Sequence, residues 1–222
     1  MNIPKIITNT QSNNIPQWQK ATWEEYLMYC EDPNIGEVRV FYNNGDLFVH
    51  MGNEGINHSI FTRLFAMIFW LWFANKSEET FQDMGGCVIE KPETQGASPD
   101  LVLYIGENYP TWEEGKSRRI NLDNWRVPDL VGEVADTTLA TDLDEKKRLY
   151  AELKIPEYWV IDIQGKRAIA FILKPDGQYQ QTAYSEALKG LPITLLSATL
   201  KQLETGTNST AANWFAKEIE RI

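Results

Sequence analysis

From Ile60 to Ala74 the chain reads IFTRLFAMIFWLWFA, apolar on nearly every side of a helix. Two shorter apolar runs, Leu101 to Ile105 and Leu130 to Ala135, follow it and are bounded by polar residues and turns. The first pattern predicts a buried helix beginning near His58, and the other two predict strands covered on both faces. Before them, Thr22 and Glu25 form a capping-box signature for a helix over 22–30. Strands over 37–42 and 46–51 are joined by Asn43, Asn44 and Gly45, a hairpin signal. Further strands are expected over 81–90, 100–105, 129–135, 158–162, 168–173 and 178–184, with a helix between the third and fourth of these. The order predicts an α/β fold with a mixed central sheet flanked by helices, plus an added N-terminal helix and β-hairpin. Residues 1–20 read as a loosely ordered lead-in, 21–204 as one domain, and 205–222 as a loop and short helix carrying Trp214 and Phe215.

The helix after Ala135 is predicted to be capped by Thr141 or Asp142, with Glu145 completing a capping box. With Leu143 set at zero, the apolar residues Leu149, Tyr150 and Leu153 fall near ~240°, ~340° and ~280°. Lys146, near ~300°, sits in the middle of that stripe, whereas Lys147, near ~40°, lies toward its edge. A lysine snorkels to water more easily from an edge or a helix end, so an inward Lys146 calls for buried anionic partners.

Two such partners lie in the apolar runs. Asp100 opens SPDLVLYI and Glu133 interrupts PDLVGEV, both where an apolar residue is expected. Buried charges are paired or bind metal, so each needs a cation nearby. Each residue alone is equally well read as a structural charge. Together, two carboxylates and an ammonium at one spot point to metal-assisted hydrolysis of a phosphodiester. A hard cation such as Mg²⁺ takes one or two carboxylates along with water and phosphate oxygens. A lysine beside it can orient the attacking water or stabilise the transition state.

From about Trp23 to about Gln178 the chain resembles the Uma-type restriction endonuclease family within the PD-(D/E)XK nuclease superfamily. The resemblance rests on TWEEYL, the hairpin leading to a helix near His58, SPDLVLYI, PDLVGEV, DLDEKKRLY and IPEYWVID. It implies a restriction endonuclease-like core, a divalent-metal-dependent nuclease acting on nucleic acid, DNA above all, and Asp100 and Glu133 as metal ligands for Mg²⁺ or Mn²⁺. The superfamily lysine stands two residues after the acidic one, where this chain has Ala135; the family supplies it from the next helix, at Lys146. Related folds also bring an acidic residue from the first core helix, which makes Glu54 and His58 additional candidates. Asp129, in the second PD dipeptide, is read as a strand-opening residue and the second choice as a ligand. The chain departs from the family pattern at Asp136, where a serine is common, which adds negative charge near the expected metal.

Charge weakens the nucleic-acid reading. The 31 acidic and 21 basic residues of the 222 give a net charge of -10, whereas affinity for nucleic acid comes largely from Lys and Arg. Lys116, Arg118 and Arg119, in the polar stretch 108–124, and Lys147 are the candidate contacts. An alternative follows: a nuclease-fold protein with a weakened site, serving as a binding or regulatory module. A third reading is a metal-dependent hydrolase of a smaller phosphate ester. The apolar helix is shorter than a membrane span needs and contains Arg63, so no membrane association is expected. Its outward aromatic residues suggest a homodimer. Cys30 and Cys87 have no metal-ligand spacing, and a cytoplasmic setting is expected.

Overall fold

The computed structural model describes residues 17–32, 34–35, 38–51 and 55–222. Two six-stranded sheets stack on each other, and helices cover the outer face of each. The first sheet takes β1 (Gln19–Lys20), β2 (Val38–Asn43), β3 (Asp46–Met51), β5 (Ile89–Lys91), β6 (Gln95–Ala97) and β8 (Ile120–Asn121), in the order β1-β3-β2-β6-β5-β8. The second takes β4 (Phe81–Asp83), β7 (Leu101–Ile105), β9 (Leu130–Ala135), β10 (Glu157–Asp162), β11 (Arg167–Leu173) and β12 (Tyr179–Thr182), in the order β12-β11-β10-β9-β7-β4. Only β9 and β10 run parallel in this sheet. The expected hairpin is present, with Asn44 and Gly45 at positive φ as a two-residue turn requires, but it grows into the whole first sheet.

Strand parity decides what each face carries, because successive side chains alternate. Leu101, Leu103, Leu130, Val134, Trp159 and Ile161 point to one side of the second sheet. There they meet α2 (Ile56–Lys76), α5 (Ile193–Lys201) and α6 (Asn208–Ile219). Phe65 and Phe69 of α2 each place a ring centroid 6.0 Å from Trp159. Val102, Tyr104, Val131 and Val160 point to the other side, toward Phe41 and Phe48 of the first sheet and Leu149 and Tyr150 of a helix described below. The first sheet's outer face carries Val40, Tyr42 and Leu47 under α1 (Trp23–Glu31), which Thr22 and Glu25 cap as expected. Among the described residues no helix is long and apolar enough to cross a membrane.

Two expectations are corrected and one helix is added. The run 81–90 is not one strand: β4 and β5 lie in different sheets, separated by a turn at Gly85 and Gly86. Gly85 packs so closely that a Cβ there would lie 2.4 Å from the Asp100 carbonyl oxygen, a contact only glycine permits. The helix α5 was not foreseen, since its β-branched and hydroxyl residues are weak helix formers. It is held by burying Ile193, Leu196 and Leu200. Neither Thr141 nor Asp142 caps the lysine helix: a short helix, α3 (Leu139–Leu143), precedes α4 (Glu145–Glu152), and Asp142 is buried.

Candidate active site

Asp100 immediately precedes β7 and Glu133 lies in β9, and antiparallel pairing of Leu101 with Gly132 brings the two together. Parity sends both carboxylates to the same face as Val102 and Val131, into the layer between the sheets. They are 3% and 1% exposed, so their surroundings and not water set their charge. Lys146, in the first turn of α4, is 2% exposed and reaches the same point. Its Nζ is 3.1 Å from Glu133 Oε2 and 2.8 Å from Asp142 Oδ1. The ammonium also stands 4.0 Å from the centre of the Phe41 ring, where the π face favours a cation. Lys147 points elsewhere, its Nζ lying 4.9 Å from the centre of the Phe171 ring.

Four further residues join the cluster that the sequence did not mark as site residues. Arg39 alternates onto the inner face of β2 beside Phe41, and its guanidinium bridges both carboxylates. Nη1 is 2.8 Å from Asp100 Oδ1 and Nη2 is 2.9 Å from Glu133 Oε2. Nε and Nη2 also donate to the Ser98 carbonyl at 3.1 and 2.6 Å. Tyr150, one turn after Lys146, donates its hydroxyl to Glu133 Oε1. Asp142 accepts from the Thr138 hydroxyl at 2.7 Å and completes the pairing of Lys146. His50 lies opposite Arg39 in the β2–β3 register. Alternation could have selected Arg39 and His50, since Val38, Val40 and Tyr42 already claim the outer face.

The additional candidates divide. His58, in the first turn of α2, places Nε2 3.0 Å from Asp100 Oδ1. Glu54 lies outside the described residues. Asp136 follows β9 and accepts from the Gln164 side chain at 3.1 Å. Asp129 stands at the other end of β9, where it accepts from the Ile105 N–H at 2.7 Å and pairs with Arg126 at 2.8 Å, so it is not brought to this cluster.

The candidate nucleic-acid contacts also lie apart. The polar stretch leaves β7 at the end away from Asp100, roughly 17 Å along the strand by its rise per residue. Arg119 returns from it to pair with Glu90 at 2.7 Å and Glu31 at 3.0 Å, tying β5 to α1. Arg118 lies 5.7 Å from the centre of the exposed Trp112 ring, and Lys116 is exposed in the same loop.

The electrostatics of the two carboxylates differ. Burial pushes the Asp100 carboxyl up, but Arg39, His58 and the Val134 N–H, which donates at 2.7 Å, together hold it below its ordinary value. For Glu133 burial prevails over Lys146 and Arg39, with Asp100 and Asp142 adding to it, and the carboxyl is held up. Burial pushes the His50 imidazole down, and Arg39 and Lys146 add to that. Burial and then Glu133 push the Tyr150 phenol up, so it serves as a hydrogen-bond donor.

A divalent cation fits this donor set by its chemistry. Asp100 Oδ1 and Glu133 Oε2 already converge on one cationic group, the Arg39 guanidinium. Both are hard oxygen donors of the kind Mg²⁺ and Mn²⁺ take. Among the described residues no group of three or more His, Cys, Asp or Glu side chains could hold an ion by itself. A two-carboxylate site completed by water and phosphate is the arrangement the residues permit.

Comparison with known proteins agrees with this architecture. A solved structure from Anabaena variabilis, described as a "putative nuclease belonging to DUF820", superposes with a TM-score of 0.56 at 15% identity, covering 81% of this chain and 99% of that one. At that identity the likeness establishes a shared fold, the restriction endonuclease-like one. No curated protein matches the chain. The model of the Uma2 family, described as "Putative restriction endonuclease", matches residues 23–205. With most of its length matched, the chain belongs to the Uma2 family.

Proposed function

We propose that this protein is a divalent-metal-dependent nuclease that hydrolyses phosphodiester bonds, with DNA as its substrate and Mg²⁺ or Mn²⁺ as its cofactor. The observation that carries the reading is the convergence of Asp100, Glu133 and Lys146 in a buried layer where unpaired charges would be prohibitively costly. Asp100 and Glu133 would hold the cation, which supplies charge neutralisation at the phosphate and a more acidic bound water.

The chain's own residues have distinct parts in this reading. Val134 N–H fixes one Asp100 oxygen and leaves the other turned toward the shared position. Tyr150 does the same for Glu133. Lys146, held between Glu133 and Asp142, places its ammonium beside the reacting phosphate and orients the attacking water. His58 steadies Asp100 from α2. No covalent intermediate is needed. The reading places the protein in the cytoplasm as a homodimer, associating through the outer face of α2, where Trp70 is 62% exposed.

One observation favours the alternative of a weakened site acting as a binding module. Arg39 engages both expected metal ligands, so the carboxylates are satisfied without any ion. The two readings separate on purified protein given Mn²⁺ with plasmid, single-stranded DNA, RNA and a chromogenic phosphodiester. Turnover of a polynucleotide that Asp100→Asn abolishes supports the nuclease. Turnover of the small ester alone indicates a smaller substrate. Polynucleotide binding without turnover indicates the binding module.

A further inference from the structure

The guanidinium of Arg39 occupies the point on which the two carboxylates converge. Its contacts are specific: Nη1 to Asp100 at 2.8 Å, Nη2 to Glu133 at 2.9 Å, and two donations to the Ser98 carbonyl. Yet neither carboxylate depends on it alone. Asp100 keeps the Val134 N–H on one oxygen and His58 on the other. Glu133 keeps Tyr150 on one oxygen and Lys146 on the other. Removing the guanidinium would therefore take one partner each from Asp100 Oδ1 and Glu133 Oε2, the two atoms facing the shared position.

Charge points the same way. Among the described residues in contact with one another, three carboxylates (Asp100, Glu133, Asp142) face two basic side chains, Arg39 and Lys146. With all three ionised the cluster is one negative charge in excess. Exchanging Arg39 for a divalent ion leaves Lys146 and the ion against three carboxylates, which is neutral. Arg39 is also the member best placed to leave: its side chain is 20% exposed, against 2% or less for Asp100, Glu133, Lys146 and Asp142. Its long stem lets the guanidinium turn toward water without strand movement.

Resting on the metal-dependent reading above, we infer that Arg39 is an intramolecular competitor for the divalent cation. In the metal-free protein it holds the carboxylates in place. Metal loads by displacing its guanidinium, and the apparent metal affinity is the intrinsic affinity multiplied by the fraction of protein in which Arg39 is not seated. The metal-free protein is then a closed, nearly self-neutralised state, and Arg39 sets the cation concentration at which the site fills.

Direct calorimetric titration with Mn²⁺, in the absence of nucleic acid, tests this on wild type, Arg39→Gln, Arg39→Lys and Glu133→Gln. Arg39→Gln is expected to bind Mn²⁺ about tenfold or more tightly than wild type, because the competing cation is gone. Arg39→Lys, with one point charge unable to bridge both carboxylates, is expected between them. Arg39→Gln should also melt at a lower temperature in chelator and regain more on adding Mn²⁺ than wild type does. Should Arg39→Gln fail to fold without metal, Arg39→Lys carries the comparison. Equal or weaker binding by the Arg39 variants, with wild-type binding that Glu133→Gln removes, would overturn the competition while sparing the metal site. Mn²⁺ binding by none of the proteins would overturn both.

Discussion

Lys146 reaches Glu133, Nζ to Oε2 at 3.1 Å, from α4, the second helix after the strand, with α3 between them. A lysine two residues after Glu133, at Ala135, would arise from the same strand and face. Supplying it from α4 instead allows Tyr150, one turn later, to hold the other oxygen of the same carboxylate. One helix thereby supplies Glu133 with both a cationic partner and a hydrogen-bond donor.

Lys146→Ala is expected to lower any hydrolysis by about 100-fold or more. It should also cost about 3–5 kcal/mol, since Glu133 and Asp142 would lose a buried partner. Lys147→Ala, which removes only a cation over the Phe171 ring, should change both quantities little. Rates and thermal melts of the two variants check this, and equal losses would contradict the helix geometry.

Tyr150→Phe removes a buried hydroxyl that donates to Glu133 while keeping the ring packed against Tyr158, 4.9 Å between centroids. The expected cost is about 1–3 kcal/mol, together with slower turnover because Glu133 is freer to rotate. Denaturant unfolding measures the first and initial rates the second. Unchanged stability would mean that the hydroxyl contributes nothing to holding Glu133.

Gly85→Ala should act at the site from outside it. Its Cβ would lie 2.4 Å from the Asp100 carbonyl oxygen, so the backbone at the start of β7 must shift. A lower melting temperature and a disproportionate loss of metal binding are expected, whereas alanine at Gly177, whose nearest contact is a lysine tip at 3.6 Å, should leave metal binding little changed. Its positive φ still adds strain there, so melting temperature is compared alongside metal affinity.

Stability should fall on acidification partly through His50. Its folded pKa lies below the ordinary value of 6.5, from burial first and then from Arg39 and Lys146. The unfolded chain therefore binds the proton more readily. The stabilisation is complete above about pH 6.5 and is lost as pH falls from there through the folded value. His50→Gln should flatten that part of the stability curve, measured by chemical denaturation in chelator between pH 5 and 8. An unaltered curve would show that His50 does not titrate against the cluster.

Much of this was legible in the sequence because it lies in local pattern. The apolar runs marked β7, β9 and α2, the Asn-Gly turn marked the hairpin, and the angular position of Lys146 marked its inward direction. The growth of the hairpin into the first sheet was not legible, since β5, β6 and β8 are two or three residues long and are defined by long-range pairing. Arg39 was hidden for a related reason. Its partners are 59 or more residues away, and an arginine in a hairpin strand reads as an ordinary solvated charge until its sheet is known to pack on another. Asp142 was mistaken for a cap because its residue type favours that position, whereas its pairing with Lys146 depends on the break between α3 and α4.

The central claim is tested most directly by incubating supercoiled plasmid with purified protein in Mg²⁺ or Mn²⁺ at low salt, beside identically prepared Glu133→Gln and a chelator control. Nicking or linearisation that requires metal and vanishes in the variant is the predicted result. Equal cleavage by both proteins, or cleavage that persists in chelator, would contradict the account.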